Sequence, residues 1–102
     1  MAMLHTVNKS PFERNTLESC IRLAAKGSSV LLMEDGVYGA MKGTSKSDLI
    51  DNAKGDVSFY ALGPDLDARG ISKDKLIDGI KVVGYGDFVD LVAEHSASQA
   101  WL

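Results

Sequence analysis

The sequence predicts a three-layer α/β/α fold with a mostly parallel β-sheet. Short apolar or β-rich segments alternate along the 102 residues with segments of helical periodicity. Such alternation is typical of parallel sheets whose strands are joined by right-handed helical crossovers. In addition, residues 30–33 are apolar at every position, which is typical of a parallel strand covered on both faces. We expect a single domain over residues 1–102, since no repeat or linker divides the chain.

The first predicted elements are a strand and a helix. The strand covers residues 3–7. Residues 10–13 offer a capping box with proline at the first helical position, and Asn15 with Glu18 is a second candidate start of the same helix. Gly27 is a stop signal. The apolar positions of this helix repeat at i, i+4, i+7 and should face the sheet: Leu17, Ile21 and Ala24.

The rest of the chain repeats this pattern. Three more strands are predicted, at 30–33, 57–62 and 80–83. Helical segments are predicted at 37–41, 47–52, 64–68 and 72–77, and a last helix is marked by apolar residues between 88 and 92. No element is assigned to the tail, residues 96–102.

The carboxyl edge of the predicted sheet is where chemistry is expected, because ligands of open parallel sheets bind there. Two glycine-rich segments near this edge are candidates for phosphate loops. Residues 84–89 have valine where a dinucleotide fingerprint needs its third glycine, and in residues 36–44 the lysine precedes the late glycine. Both spacings fail to match a phosphate-binding loop. We therefore interpret both as turns and expect no nucleotide site.

Cys20 is the only cysteine of the chain. One thiol cannot close an intrachain disulfide or form a multi-cysteine metal site, so it serves packing, an intermolecular bond or nucleophilic sulfur chemistry. Its neighbours one helical turn away include no cation that would lower its pKa: Thr16, Leu17, Leu23 and Ala24. Taken alone, the residues favour inert packing and leave sulfur chemistry open.

The remaining reactive side chains give weaker signals. His5 lies in a predicted strand, where a hydrogen-bonded packing role is more common than catalysis. His95 has no second histidine or cysteine beside it, so we expect no metal site and no cofactor. Trp101 is costly to leave in water and is expected to dock either on its own domain or on a neighbouring subunit.

Composition excludes several classes of protein. The net charge of −3 provides no basic surface for direct nucleic-acid binding. No apolar run approaches the roughly 20 residues that span a membrane, and the first residues lack a secretory pattern. We therefore expect a cytoplasmic protein.

Five separated segments of the chain resemble the DsrH/TusB family. They occur in the family's order and extend nearly from end to end: LHTVNKSPF (4–12), LLMEDGVYGA (31–40), YALGPDLDARGI (60–71), YGDFVDL (85–91) and QAWL (99–102). The resemblance implies a DsrE-like fold. It also implies that Met1 and Ala2 precede the usual start of the family.

The resemblance further implies a subunit of a heterohexameric sulfurtransferase, with two copies each of three related chains. The partners would be DsrE-like and DsrF-like (TusD/TusC-like) subunits and a small sulfur-carrier protein. A cysteine at position 20 is similar to DsrH-type members, which favours relay of persulfide sulfur in sulfur oxidation. The alternatives are a TusB-like subunit of the tRNA 2-thiouridine relay and a purely structural subunit.

The same resemblance limits what this chain can do. In the DsrE/TusD paralogue the main sulfur-carrying cysteine follows the third strand, before an Arg-Gly turn. The similar segment here, residues 61–70, contains no thiol. The main carrier is therefore expected on a partner chain, and Cys20 would be an accessible auxiliary persulfide carrier.

Overall fold

A parallel five-stranded sheet forms the centre of the structure, a computed structural model that describes residues 3–102. The strands are β1 (Met3–Val7), β2 (Ser29–Leu32), β3 (Ser58–Leu62), β4 (Lys81–Val83) and β5 (Ala97–Trp101). The α-helices are α1 (Thr16–Leu23), α2 (Ser47–Ala53), α3 (Gly63–Ala68) and α4 (Tyr85–Glu94), and 3₁₀ segments cover Glu34–Ala40 and Lys73–Lys75. The extra start residues Met1 and Ala2 lie outside the described residues.

The strand order is β4-β3-β2-β1-β5, and every neighbouring pair is parallel. β1 therefore lies between β2 and β5, although β5 is the last strand of the chain. The register pairs Leu4 with Ser98 and Thr6 with Ala100. Because successive side chains of a strand point to opposite faces, these four side chains share one face of the sheet.

Buried residues lie on both faces of the sheet. One face packs against α1, α2 and α3 through a large cluster that includes Val7, Leu17, Val30, Ile50 and Leu66. The other face packs against α4 alone, through a small cluster of Leu4, Leu31, Leu62 and Leu91. This arrangement confirms the predicted three-layer α/β/α fold, with very unequal helical cover on the two faces.

Three local predictions differ from the structure. Residues 10–13 form a turn in which Ser10 Oγ accepts a hydrogen bond from the Phe12 N–H, and the helix begins at Thr16, after the second candidate start. Residues 72–77 contain only the 3₁₀ turn Lys73–Lys75. The tail forms β5, which we did not predict, because its pairing is supplied by β1 rather than by an apolar pattern of its own.

Candidate functional site

Cys20 lies on the buried side of α1, and its exposed fraction is 0%. It belongs to the large core cluster together with Leu17 and Val30. Burial raises the pKa of the thiol from 9.0 to about 12, because a thiolate is poorly solvated among apolar side chains. The sulfur is therefore covered, whereas the family resemblance led us to expect an accessible auxiliary thiol.

The carboxyl edge of the sheet is shaped by the segment that follows β2. A Cβ added to Gly36 would lie 2.2 Å from the Val7 carbonyl oxygen, so only glycine allows this close passage over β1. The preceding Glu34 has a positive φ of 50°, and its N–H donates to Asp65 Oδ2 at 2.7 Å. Asp65 on α3 thereby fixes the strained residue.

Arg69 ties this segment to α3. Its Nε and Nη2 donate to Asp35 Oδ1 at 3.0 and 2.9 Å, and its Nη1 donates to the Asp65 carbonyl oxygen at 3.2 Å. These contacts use all three nitrogens of the Arg69 guanidinium group. The sequence interpretation missed this network because Asp35 lies 34 residues before Arg69. Arg69 therefore connects the segment after β2 with α3, which is a structural role.

A cavity of about 310 Å³ opens at the carboxyl ends of β3 and β4. Its lining is uncharged except for one carboxylate and one ammonium group: Gly63, Pro64, Leu66, Asp67, Ile71, Ser72, Lys73, Val82, Val83 and Gly84. The cavity lies beside the segment that follows β3, and Cys20 does not line it. No nucleophilic sulfur of this chain reaches the cavity.

The glycine-rich segment at residues 84–89 contributes Gly84 to this cavity without forming a phosphate loop. Gly84 is the N-cap residue of α4, and its N–H donates to Asp87 Oδ2 at 3.0 Å. A carboxylate of the chain itself thus already neutralises the positive end of the helix. Residues 36–40 belong to a 3₁₀ segment.

Trp101 docks on its own domain. Its indole N–H donates to Nδ1 of His5 at 3.1 Å, and the two ring centroids are 6.1 Å apart. His5 is 4% exposed, and desolvation lowers the pKa of its imidazole. His95 is also engaged, since its Nδ1 contacts the Leu91 carbonyl oxygen and its Nε2 contacts Ser29 Oγ. Both histidines therefore form structural hydrogen bonds within the chain.

Neither a metal cluster nor a membrane-spanning helix is found in the part of the chain that the structure describes. Within residues 3–102 no three His, Cys, Asp or Glu side chains are grouped so that they could hold a metal ion. No helix of the same residues has the length and apolar character needed to cross a membrane.

Comparison with known proteins identifies clear relatives. Residues 9–98 match the family described as DsrH like protein. Protein TusB of Serratia proteamaculans (strain 568) is 37% identical over 99 residues, which cover 97% of this chain and 100% of the relative. Protein TusB of Erwinia tasmaniensis is 38% identical with the same coverage.

Solved structures share the fold at lower identity. A protein of unknown function from Methanobacterium thermoautotrophicum, MTH1491, superposes with a TM-score of 0.79 at 23% identity, covering 97% of each chain. The ychN protein from E. coli gives a TM-score of 0.78 at 18% identity, covering 98% of each chain. At these identities the likeness supports the fold alone.

Proposed function

Since the chain belongs to the DsrH/TusB family, we propose that it is a subunit of a sulfur-relay complex and that it does not itself carry sulfur. Its contribution is structural: it completes the complex and helps to shape the surface on which carriers dock. Persulfide transfer takes place on thiols of the partner chains.

The observation on which this proposal depends most is the burial of Cys20. In persulfide transfer, a thiolate attacks the outer sulfur of a persulfide, so both sulfurs must meet at an accessible surface. The only thiol of this chain is fully buried and its pKa is raised to about 12. The segment after β3 contains no cysteine that could take its place.

The relatives favour the tRNA branch of the relay over sulfur oxidation. Proteins named TusB are 36–38% identical to this chain over its near-complete length. A buried cysteine at position 20 is a poor argument for a DsrH-type relay role, because packing explains it. We therefore propose that the chain belongs to a cytoplasmic complex with TusC-like and TusD-like subunits that supplies sulfur for 2-thiouridine in tRNA.

Deletion of the gene in its host tests this assignment. We expect 2-thiouridine to disappear from digested tRNA, as measured by mass spectrometry, and to return with either the wild-type chain or Cys20→Ala. Restoration by Cys20→Ala separates a structural role from a carrier role. Unchanged 2-thiouridine in the deletion strain, together with loss of sulfur oxidation, would contradict a role in tRNA thiolation and assign the chain to the sulfur-oxidation relay.

A further inference from the structure

Strand β5 is an edge strand with little side-chain packing of its own. In the part of the chain that the structure describes, it pairs with β1 alone. Four of its five residues are exposed, and only Trp101 is half-buried. This side chain packs against the large core cluster, on the face of the sheet that α1 covers. Besides the backbone pairing with β1, the attachment of the carboxyl end of β5 therefore depends mainly on Trp101.

Two histidines hold the two ends of β5. At the start of the strand, His95 Nδ1 lies 2.6 Å from the Leu91 carbonyl oxygen and His95 Nε2 lies 2.9 Å from Ser29 Oγ. At the carboxyl end, the indole N–H of Trp101 donates to His5 Nδ1 at 3.1 Å. The same kind of ring thus fixes both ends, but its hydrogen-bond partners differ in chemistry.

The two histidines differ in how their contacts respond to a proton. A carbonyl oxygen only accepts, so Nδ1 of His95 carries a hydrogen and Nε2 is the nitrogen that titrates. The Ser29 hydroxyl can donate to neutral Nε2 or accept from protonated Nε2, so both contacts of His95 persist. The indole N–H of Trp101 only donates, so a proton on Nδ1 of His5 places two N–H groups opposite each other. Acid therefore breaks the contact at the carboxyl end alone.

The surroundings of His5 offer no charge that would replace the lost bond. The flanking strands β2 and β5 contain no titratable side chain. Helix α1 packs against β1 and β5, and its Glu18 and Arg22 form an exposed ion pair with each other at 3.7 Å. Cys20, the third titratable group of α1, is buried as the neutral thiol. Since His5 is 4% exposed, its imidazolium would be poorly solvated until the covering side chain moves away.

We propose that protonation of His5 releases the Trp101 end of β5 from β1, while His95 keeps the start of the strand attached. The proton comes from solvent and binds Nδ1, the indole N–H loses its acceptor, and the charged ring gains contact with water. Burial lowers the pKa of His5 below 6.5, so the attached form binds the proton less readily than the released form, and a fall in pH favours release. This switch does not depend on the sulfur relay.

Amide hydrogen exchange of the full chain, measured by NMR, tests the release residue by residue. Protection factors are compared at about pH 7.5 and about pH 5, after correction for the intrinsic exchange rates. We expect the protection of residues 99–101 to fall about tenfold or more at the lower pH, while β3 stays protected. Equal protection of residues 99–101 at both pH values would overturn the proposal. A loss that extends equally to β3 is general unfolding and would overturn it as well.

Three variants assign the response to one histidine. In His5→Asn the amide oxygen can still accept from the indole but does not titrate, so the protection of residues 99–101 should no longer depend on pH. Trp101→Phe keeps an aromatic ring without the N–H, so this protection should already be lower at about pH 7.5. The matched control is His95→Gln, which should respond to pH like the wild type. A wild-type response in His5→Asn, unchanged protection in Trp101→Phe, or loss of the response in His95→Gln would each contradict the proposal.

Discussion

Cys20 is a buried core residue whose position on α1 decides its chemistry. It lies three residues after Leu17, and both side chains are fully covered by the sheet and the neighbouring helices. A relay thiol would need exposure and a nearby positive charge. Burial offers the opposite environment, since it stabilises the neutral thiol.

Cys20 is therefore predicted to be inert in the folded chain. Because burial raises the pKa of the thiol to about 12, well above neutral pH, the reactive thiolate is scarce in the folded chain. Reaction with a disulfide reagent such as DTNB should be at least about a hundredfold slower than in the urea-unfolded chain. Leu23→Cys, exposed on the same helix, provides a reactive control; comparable rates for the two positions would refute the burial.

Substitution of the same residue should cost stability. Cys20→Ser places a hydroxyl in an apolar cluster without a designed hydrogen-bond partner, and we expect a loss of about 1–3 kcal/mol in the free energy of unfolding. Leu23→Ser on the exposed side should change it by less than about 0.5 kcal/mol. Urea denaturation measures the free energy of unfolding of both variants. An unchanged free energy for Cys20→Ser would indicate an exposed side chain.

His5 and Trp101 form a contact that should respond to pH. Nδ1 of His5 accepts the indole N–H of Trp101, which requires the neutral imidazole. Since burial lowers the pKa of His5 below 6.5, the unfolded chain binds the proton more readily than the folded one. The stabilisation from the neutral imidazole is complete above pH 6.5 and is lost as pH falls through the lower folded-state pKa.

Fluorescence can follow this titration because Trp101 is the only tryptophan. We expect a change in Trp101 emission with a midpoint below pH 6.5. The transition should be absent in His5→Asn, whose amide oxygen can still accept the bond but does not titrate. A midpoint at or above pH 6.5, or an unchanged transition in His5→Asn, would contradict the buried neutral histidine.

At the scale of elements, the segment after β2 depends on one close backbone contact. Gly36→Ala would bring a Cβ to 2.2 Å from the Val7 carbonyl oxygen, and backbone on both sides must then shift. We expect a loss of more than about 2 kcal/mol in the free energy of unfolding. Gly55→Ala, with no heavy atom within 4 Å of the added Cβ, should stay within about 0.5 kcal/mol; equal effects would argue against the close contact.

Local patterns predicted most of the elements, and long-range contacts explain the rest. The strand at 3–7 and the strands near 30, 60 and 80 followed from apolar runs, and α1 followed from the Leu17 repeat. β5 was missed because Ala97–Trp101 is exposed at four of its five residues and forms only by pairing with β1. The Arg69 network was missed because Asp35 and Arg69, 34 residues apart, become neighbours only in the folded chain.

At the scale of the whole molecule, the two faces of the sheet suggest a division of roles. One face is covered by α1, α2 and α3, and α1 carries the only thiol of the chain, which is buried. The other face is covered by α4 alone, and Tyr85, Val89 and Val92 of this helix are exposed. The cavity at the carboxyl edge of the sheet is not lined by any cysteine. This distribution suits a subunit that contributes surfaces to a complex rather than a reactive sulfur.

The mass of each chain in the assembled complex tests this account most directly. The chain is reconstituted with its TusC-like and TusD-like partners, supplied with a persulfide donor, and each subunit is weighed by mass spectrometry. We expect additions of about 32 Da on a partner and none on this chain. An addition on this chain that disappears in Cys20→Ala would contradict the account and make Cys20 a sulfur carrier.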